Sequence, residues 1–478
     1  MPFGRCAGAT MPPPPGRAAR VGGSHRIVSA AAAPRPHLPS PALAIAPEWK
    51  SQQRLWGHAF HPMCSYLAMF PASLAHAFIA RYSRPGDVVL DPFSGRGTVP
   101  LQACSEGRVG VGNDLSPFAH LLTAAKVEPP TRAELAARLA VLRVRWSVES
   151  ADWKALAADA IASAAEGRKA IPAPRSRDVE ALPLEVAEAF HPSTLAQLLF
   201  LRVALIQDGS VDRFLAAATS GILHGRSKSY LSDLMPNAFS MPPRYVRDFV
   251  VRTGFRADER DVLGLLEAKV RRLFRDGVPP VRGVALLGDA RDAGLRATTA
   301  LRERALPAAA RLVVTSPPYL RVVRYGAYNW LRLWFLGLDP ASVDAALDTE
   351  HRLDGYLGFM RDVLRGIRPA IAEDAVVAVV IGDVERDRGK RVRGGENLAG
   401  LVWEAAAAPE GYRLAGVAVD EIAAQRKVTK IWGDEAGQAT RVERILVMSV
   451  SETGRRRALA GASLPVDWSW PPRGPRAM

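Results

Sequence analysis

Two short segments of this chain combine residue types at spacings that suit group transfer. In TSPPY at 315–319 a serine precedes two prolines and a tyrosine. Pro317 and Pro318 fix the backbone and remove two N–H donors, so the loop offers carbonyl oxygens in place of amides. With the Ser316 hydroxyl, those carbonyls can accept hydrogen bonds from an exocyclic NH2 group. An amine held this way gains electron density on nitrogen, and its lone pair can attack a methyl sulfonium. Tyr319 adds a face on which a flipped base can stack. The second segment is DPFSGRGT at 91–98, directly after an apolar strand-like run. Gly95 and Gly97 allow a tight turn and close approach of a ligand to the backbone. A helix starting near Thr98 would point its free N–H groups at a carboxylate or phosphate. No GK[ST] follows, which excludes a P-loop, and Pro100 stands where a dinucleotide fingerprint has its third glycine.

Two acids stand at further strand ends. Asp114 closes VGVGND and is placed to accept from both hydroxyls of a ribose, while Asp289, in LGDAR, is placed to accept from an adenine amino group. Either alone is more often a helix cap. Together with the glycine loop they put ligand-type residues at three successive strand ends.

The elements that must hold these residues follow from hydrophobic pattern. Short β-branched or apolar runs at 88–91, 109–114, 284–290, 312–318, 375–384, 413–422 and 442–450 alternate with helical stretches. Seven strands in this order predict an α/β fold with a Rossmann-like, doubly wound sheet. Ser116 followed by Pro117 marks a helix start. Residues 131–280 interrupt the alternation. They are rich in Ala, Leu and Arg, helical in period, and too long for a crossover, so they read as a mostly helical inserted domain. The expected plan is a disordered tail over 1–45, a ligand-binding half over 46–130, the insertion over 131–280 and a second half over 281–450. A basic, disordered tail over 451–478 completes it.

The formal charge is +15, from 63 Lys and Arg against 48 Asp and Glu. The two tails hold ten arginines against two acids, which leaves the body moderately basic and compatible with a polyanionic partner. Within the insertion, GRSKSYLSDLMPNAFSMPPRYVR mixes Arg226, Lys228 and Arg244 with Tyr230, Phe239 and Tyr245. Such interleaving suits contact with a nucleic-acid backbone and stacking, and it also describes an ordinary surface loop. Three cysteines (Cys6, Cys64 and Cys104) are too few and too scattered for a disulfide framework or a zinc site, which fits a reducing cytoplasm. No metal site is expected, no run of 18 apolar residues could span a membrane, and no secretory h-region is evident.

DPFSGRGT, GND and TSPPY resemble the cofactor loop, acidic strand end and catalytic tetrapeptide of the DNA methyltransferases that methylate exocyclic amines with S-adenosylmethionine. The resemblance covers about residues 55–126 and 281–450 and implies a class I methyltransferase fold. It places Asp91, Pro92, Phe93, Gly95, Gly97, Thr98, Asp114 and Asp289 on the cofactor, and Ser316, Pro317, Pro318 and Tyr319 on the target amine and base. HAFHPMCSYLAMFP at 58–71 resembles the family's additional cofactor motif, although His61 there also reads as a packing residue. A tetrapeptide beginning with Ser is commonest among cytosine-N4 enzymes of that family, whereas Asp or Asn is commoner among adenine-N6 enzymes. The motif order resembles the class that carries its target-recognition region between the two halves. The expectation is a site-specific, cytosine-N4 methyltransferase acting on double-stranded DNA, with any restriction endonuclease or defence protein a separate chain. Adenine-N6 methylation, an RNA substrate, or a catalytically silent DNA-recognition subunit are the alternatives. Carbon-5 methylation is excluded, because none of the three cysteines follows a proline.

Overall fold

All seven strand-like segments form strands: β1 (Val88–Asp91), β2 (Val109–Asp114), β3 (Val284–Leu287), β4 (Ala310–Thr315), β5 (Ile371–Gly382), β6 (Arg413–Glu421) and β7 (Val442–Ser449). The computed structural model describes residues 43, 45, 47–53, 55–66, 71–166, 182–206, 208–236, 239–318, 324–347, 352–382, 397–421 and 442–470. The strands make one sheet in the order β3-β2-β1-β4-β5-β7-β6. Neighbours from β3 through β5 are parallel, and β7 runs antiparallel between β5 and β6. The chain winds outward from β1 through β2 to β3, then restarts on the other side of β1 at β4. A reversal of this kind opens a crevice at the carboxyl ends of the two central strands, where ligands of doubly wound sheets bind.

Alternation along the strands divides the core. Val89, Leu312, Val314, Val376, Ala378 and Val380 face one side. There they meet α1 (Ala72–Tyr82) and α2 (Thr98–Ser105). Val88, Leu90, Val111, Val313, Val377 and Val379 face the other, against α10 (Ala293–Glu303) and α14 (Leu353–Ile367). A sheet covered on both faces explains why Val88–Leu90 of β1 and most of β5 are apolar.

Between β2 and β3 the chain forms α3 (Pro117–Val127), α4 (Arg132–Ala165), α5 (Leu184–Ala189), α6 (Pro192–Ala204), α7 (Ser210–Ser220), α8 (Pro243–Thr253) and α9 (Val262–Leu273). Ser116 caps α3 by accepting from the Ala119 N–H at 3.4 Å, with Pro117 at the first position. Thr131 and Glu134 form a reciprocal capping box on α4. These helices do not enclose a core of their own. Leu135, Leu142, Leu199, Phe214 and Leu266 share one apolar cluster with Phe60, Met63, Phe118 and Leu122. Residues 38–478 accordingly form a single compact unit. After β4 come α11 (Tyr325–Tyr328), α12 (Trp330–Leu336) and α13 (Pro340–Ala346), with α15 (Leu398–Val402) after β5.

Both ends depart from expectation. Leu43 and Ile45, assigned to the disordered N-terminal tail, are buried, and the Leu43 N–H donates to the Val417 carbonyl. Residues 1–42 lie outside the described residues. The segment after 451, expected to be disordered, forms α16 (Glu452–Gly461) and packs on the sheet through Ala458. Its arginine run has structural partners. Arg457 donates to the carbonyls of Tyr82 at 2.6 Å, Asp374 at 2.8 Å and Arg311 at 3.3 Å, while Arg455 donates to that of Leu414 at 2.9 Å. Trp468 then packs on Trp56 and His76. A basic, low-hydropathy run reads as a solvated tail because its partners are backbone carbonyls far away in sequence.

Candidate functional site

The turn from β1 into α2 needs left-handed backbone at Gly95 (φ +51°) and Gly97 (φ +76°). The two glycines differ in what surrounds them. A Cβ on Gly97 would meet Thr123 Oγ1 at 2.8 Å, so that position is closed by packing. Over Gly95, among the described residues, only Tyr66 comes within reach, at 4.0 Å, which leaves room for a ligand on that face. Asp114, at the end of β2, holds this open turn: Oδ2 accepts from the Gly95 N–H at 2.8 Å and Oδ1 from the Ser116 N–H at 2.9 Å. Burial pushes the Asp114 carboxyl up to about 6 despite these hydrogen bonds. Neighbouring Asn113 donates to the Pro92 and Gly288 carbonyls at 3.2 and 2.9 Å, while its own Oδ1 is buried without a partner.

Asp91 faces away from the turn. It is 2% exposed, and its Oδ1 accepts from the Phe93 N–H at 3.1 Å and from the Thr315 hydroxyl at 2.6 Å. Burial, the larger influence, raises its carboxyl to about 7, against the hydrogen bond from Thr315. Thr315 is the last residue of β4 and immediately precedes Ser316. The glycine turn and the proline loop are therefore joined by one hydrogen bond across the β1–β4 reversal. Pro317 is buried, with Ser316 and Pro318 half-buried; Tyr319 lies outside the described residues.

The remaining expected residues are distributed as follows. Phe93 is half-buried with its ring 5.8 Å from Phe359, and Thr98 is buried at the first position of α2. Asp289 stands beyond β3, but its carboxylate is held by Arg291 through contacts of 2.5–3.0 Å, which keep it below the usual carboxylate range. It also caps the turn at 290–292. His61 is buried and bound to Gln102 at 2.9 Å, with burial holding its ring neutral, so it serves packing. Arg226, Lys228 and Arg244 are exposed, whereas Tyr230 is half-buried over Gly225. Phe239 is fully buried against Tyr328, which corrects its assignment to a stacking surface. The segment carrying these residues is anchored beside the helices that follow the proline loop. The Ser240 N–H donates to the Tyr328 carbonyl at 2.7 Å, and the Trp330 indole donates to the Met241 carbonyl at 2.6 Å.

Sequence reasoning missed four contributors. Tyr66 stacks on Tyr325 with ring centroids 5.6 Å apart at 19°. Both phenols are pushed up by burial and, next, by the Asp114 charge, which marks them as neighbours of that carboxylate. Thr315 adjoins the proline motif and was legible only as a strand residue. Thr123, whose hydroxyl donates to the Gly95 carbonyl at 3.2 Å, carries no sequence signal.

Residues 45–125, which include Tyr66, the glycine turn and Asp114, match the DNA methylase family model. Through this segment the chain is similar to DNA methylases. Two similar proteins are the type II methyltransferases M.MjaII of Methanocaldococcus jannaschii, 35% identical over 71 residues, and M.Cfr9I of Citrobacter freundii, 36% identical over 70. These alignments take in 15% and 14% of this chain but only 13% and 23% of the relatives. Among solved structures, TrmN of Thermus thermophilus overlaps 82% of this chain and 52% of its own at 14% identity and a TM-score of 0.29. The rRNA methyltransferase AviRa of Streptomyces viridochromogenes overlaps 83% and 88% at 12% identity and 0.27. The sheet order itself, with β7 reversed between β5 and β6, is that of a class I methyltransferase. Among the described residues no helix is long and apolar enough to cross a membrane, and no cluster of three His, Cys, Asp or Glu could hold a metal.

Proposed function

We propose that this protein methylates the exocyclic amine of a flipped base in double-stranded DNA, cytosine N4 above all, with S-adenosylmethionine as donor. The observation that carries the reading is the Thr315–Asp91 hydrogen bond of 2.6 Å, which ties the amine-binding loop to the cofactor turn. The match of residues 45–125 to the DNA methylase family model supports DNA as substrate. The residues present suit the donor. Each Asp114 oxygen has acceptor capacity left for a ribose diol, and among the described residues the face of Gly95 is open and the buried Asn113 Oδ1 has no partner. When bound, S-adenosylmethionine supplies a methyl group on a positively charged sulfur. Ser316 and the Pro317 carbonyl would accept from the target NH2 and aim its lone pair, with Tyr319 stacked on the base. Rate would come from positioning, without a covalent enzyme intermediate. Residues of 131–280, with Arg226, Lys228, Tyr230 and Arg244 on the backbone, would select the DNA site. Asp289 would serve the adenine amine only if Arg291 releases it.

Expression in a methylation-free host, followed by single-molecule sequencing of that host's DNA, tests this reading. Cytosine-N4 methylation at a recurrent short motif is expected. Adenine-N6 methylation would keep the enzyme and overturn the inference from Ser316. Unmodified DNA, with soluble protein that binds S-adenosylmethionine, would point to RNA or to a silent recognition subunit. Within an active enzyme, Pro317→Ala should lower kcat by roughly 10²-fold with little change in cofactor affinity. Asp114→Ala should weaken cofactor binding by calorimetry, and equal affinity would remove Asp114 from the site.

A further inference from the structure

α4 runs for 34 residues without glycine or proline, a length of about 51 Å. Its inner face, with Leu135, Leu139, Leu142 and Ala157, is buried. Its outer face carries a second apolar seam, from Ala137 to Ala162, whose successive residues are four, three, four and three apart throughout. Every residue of the seam is exposed, and its three valines, Val141, Val144 and Val148, are 49%, 65% and 79% exposed. Solvent imposes no such repeat on a helix, whereas a second helix does, because a 3.5-residue period keeps one seam in register with a partner.

We propose that this seam pairs with its own copy on a second chain, antiparallel, about a two-fold axis crossing α4 beside Ser150. In that register Val148 lies opposite the partner's Ala151, Val144 opposite the partner's Ala155, Val141 opposite the partner's Ala158, and Ala137 opposite the partner's Ala162. Each valine meets an alanine, and small residues let the helices approach closely over roughly 37 Å. A parallel pair would set valine against valine at one end and alanine against alanine at the other.

Charge selects the same arrangement. Arg138 and Arg145 flank the seam in the first half of α4, and Asp152 and Asp159 hold the equivalent flanking positions in the second. Antiparallel pairing brings Arg145 to the partner's Asp152 and Arg138 to the partner's Asp159, while parallel pairing puts like charges together. The halves differ as wholes too. The first has Arg132, Arg138, Arg143 and Arg145 against Glu134, and the second has Glu149, Asp152 and Asp159 against Lys154. Arg138 and Arg145 already bind Asp212 at 2.8 Å and Glu149 at 3.1 Å within the chain, so the pairing uses their remaining donors. Among the described residues Asp152 and Asp159 are in no ion pair. An apolar seam with one acidic half does not suit DNA, and the isologous match suits a second copy.

Sedimentation velocity on the full chain over a wide concentration range tests this. A mass approaching twice 51.6 kDa is expected. Val148→Glu should weaken association roughly tenfold or more, because it would desolvate a carboxylate in the seam. Its far-ultraviolet dichroism should be unchanged, since the side chain touches no core. Asp152→Arg should also dissociate the dimer, and adding Arg145→Asp should restore it. Orientation is read by oxidising mixed single variants: Val148→Cys should cross-link with Ala151→Cys but not with itself. A monomer at every concentration, a dimer that survives Val148→Glu, or self-cross-linking of Val148→Cys would each overturn the proposal.

Discussion

In the sequence Asp91 opens a glycine loop; in the structure its carboxylate reaches across to β4. Its carboxyl is raised to about 7 by burial, so the folded state holds a proton that the unfolded chain releases near pH 4. A raised acid of this kind lets stability fall as pH climbs from about 4 to 7, with the loss complete above that range. Asp91→Asn retains an Oδ1 acceptor for Thr315 and Phe93 and cannot ionise. Denaturant titrations should therefore show the variant gaining on the parent from pH 4 to pH 7, with the difference between them constant above that. A gap that does not change with pH would mean that Asp91 does not titrate there. The pattern DPF reveals an acid at a strand end, but not which way it faces.

At the scale of elements, α2 lies close enough to β2 that side chains are excluded between them. Pro100 occupies the position where a dinucleotide fingerprint places its third glycine, and the close approach is met from the strand. A Cβ at Gly110 would run into the Pro100 carbonyl, and one at Gly112 would lie 3.0 Å from Pro100 Cγ and 2.9 Å from Ser94 Cβ. Gly110→Ala should cost about 1–3 kcal/mol, seen as a lower Tm. It should also weaken cofactor binding, because α2 carries the turn that ends at Gly97. An unchanged Tm would mean that α2 shifts without penalty. The glycines of VGVGND read in sequence as a weak strand, and their role depends on a helix that packs against them.

For the whole molecule, the C-terminal segment locks together parts that are distant in the chain. Arg457 on α16 bonds carbonyls at the end of α1, in β4 and in β5. Arg457→Met keeps the stem and removes all three bonds. Leaving those carbonyls unpaired should cost about 1–3 kcal/mol in denaturant titrations, with a matching fall in soluble yield. If stability were unaltered, water would be replacing the guanidinium. Trp468, packed on Trp56 and His76, closes the same seam from the far end.

By itself the sequence determined what local physics encodes. Short apolar runs marked all seven strands, Ser116–Pro117 marked the start of α3, and the glycine turn and Asp114 marked the carboxyl ends of β1 and β2. These signals depend on a residue and its neighbours in the chain, so they survive without coordinates. The tertiary structure decided the rest. It turned Asp91 toward Thr315, set Tyr66 against Tyr325 beside Asp114, buried Phe239, and drew helices α4 to α9 into the shared core. It also ordered a tail whose arginines bind remote carbonyls. Each of these outcomes pairs residues far apart in sequence, and such partners leave no trace in composition or period until the chain is folded.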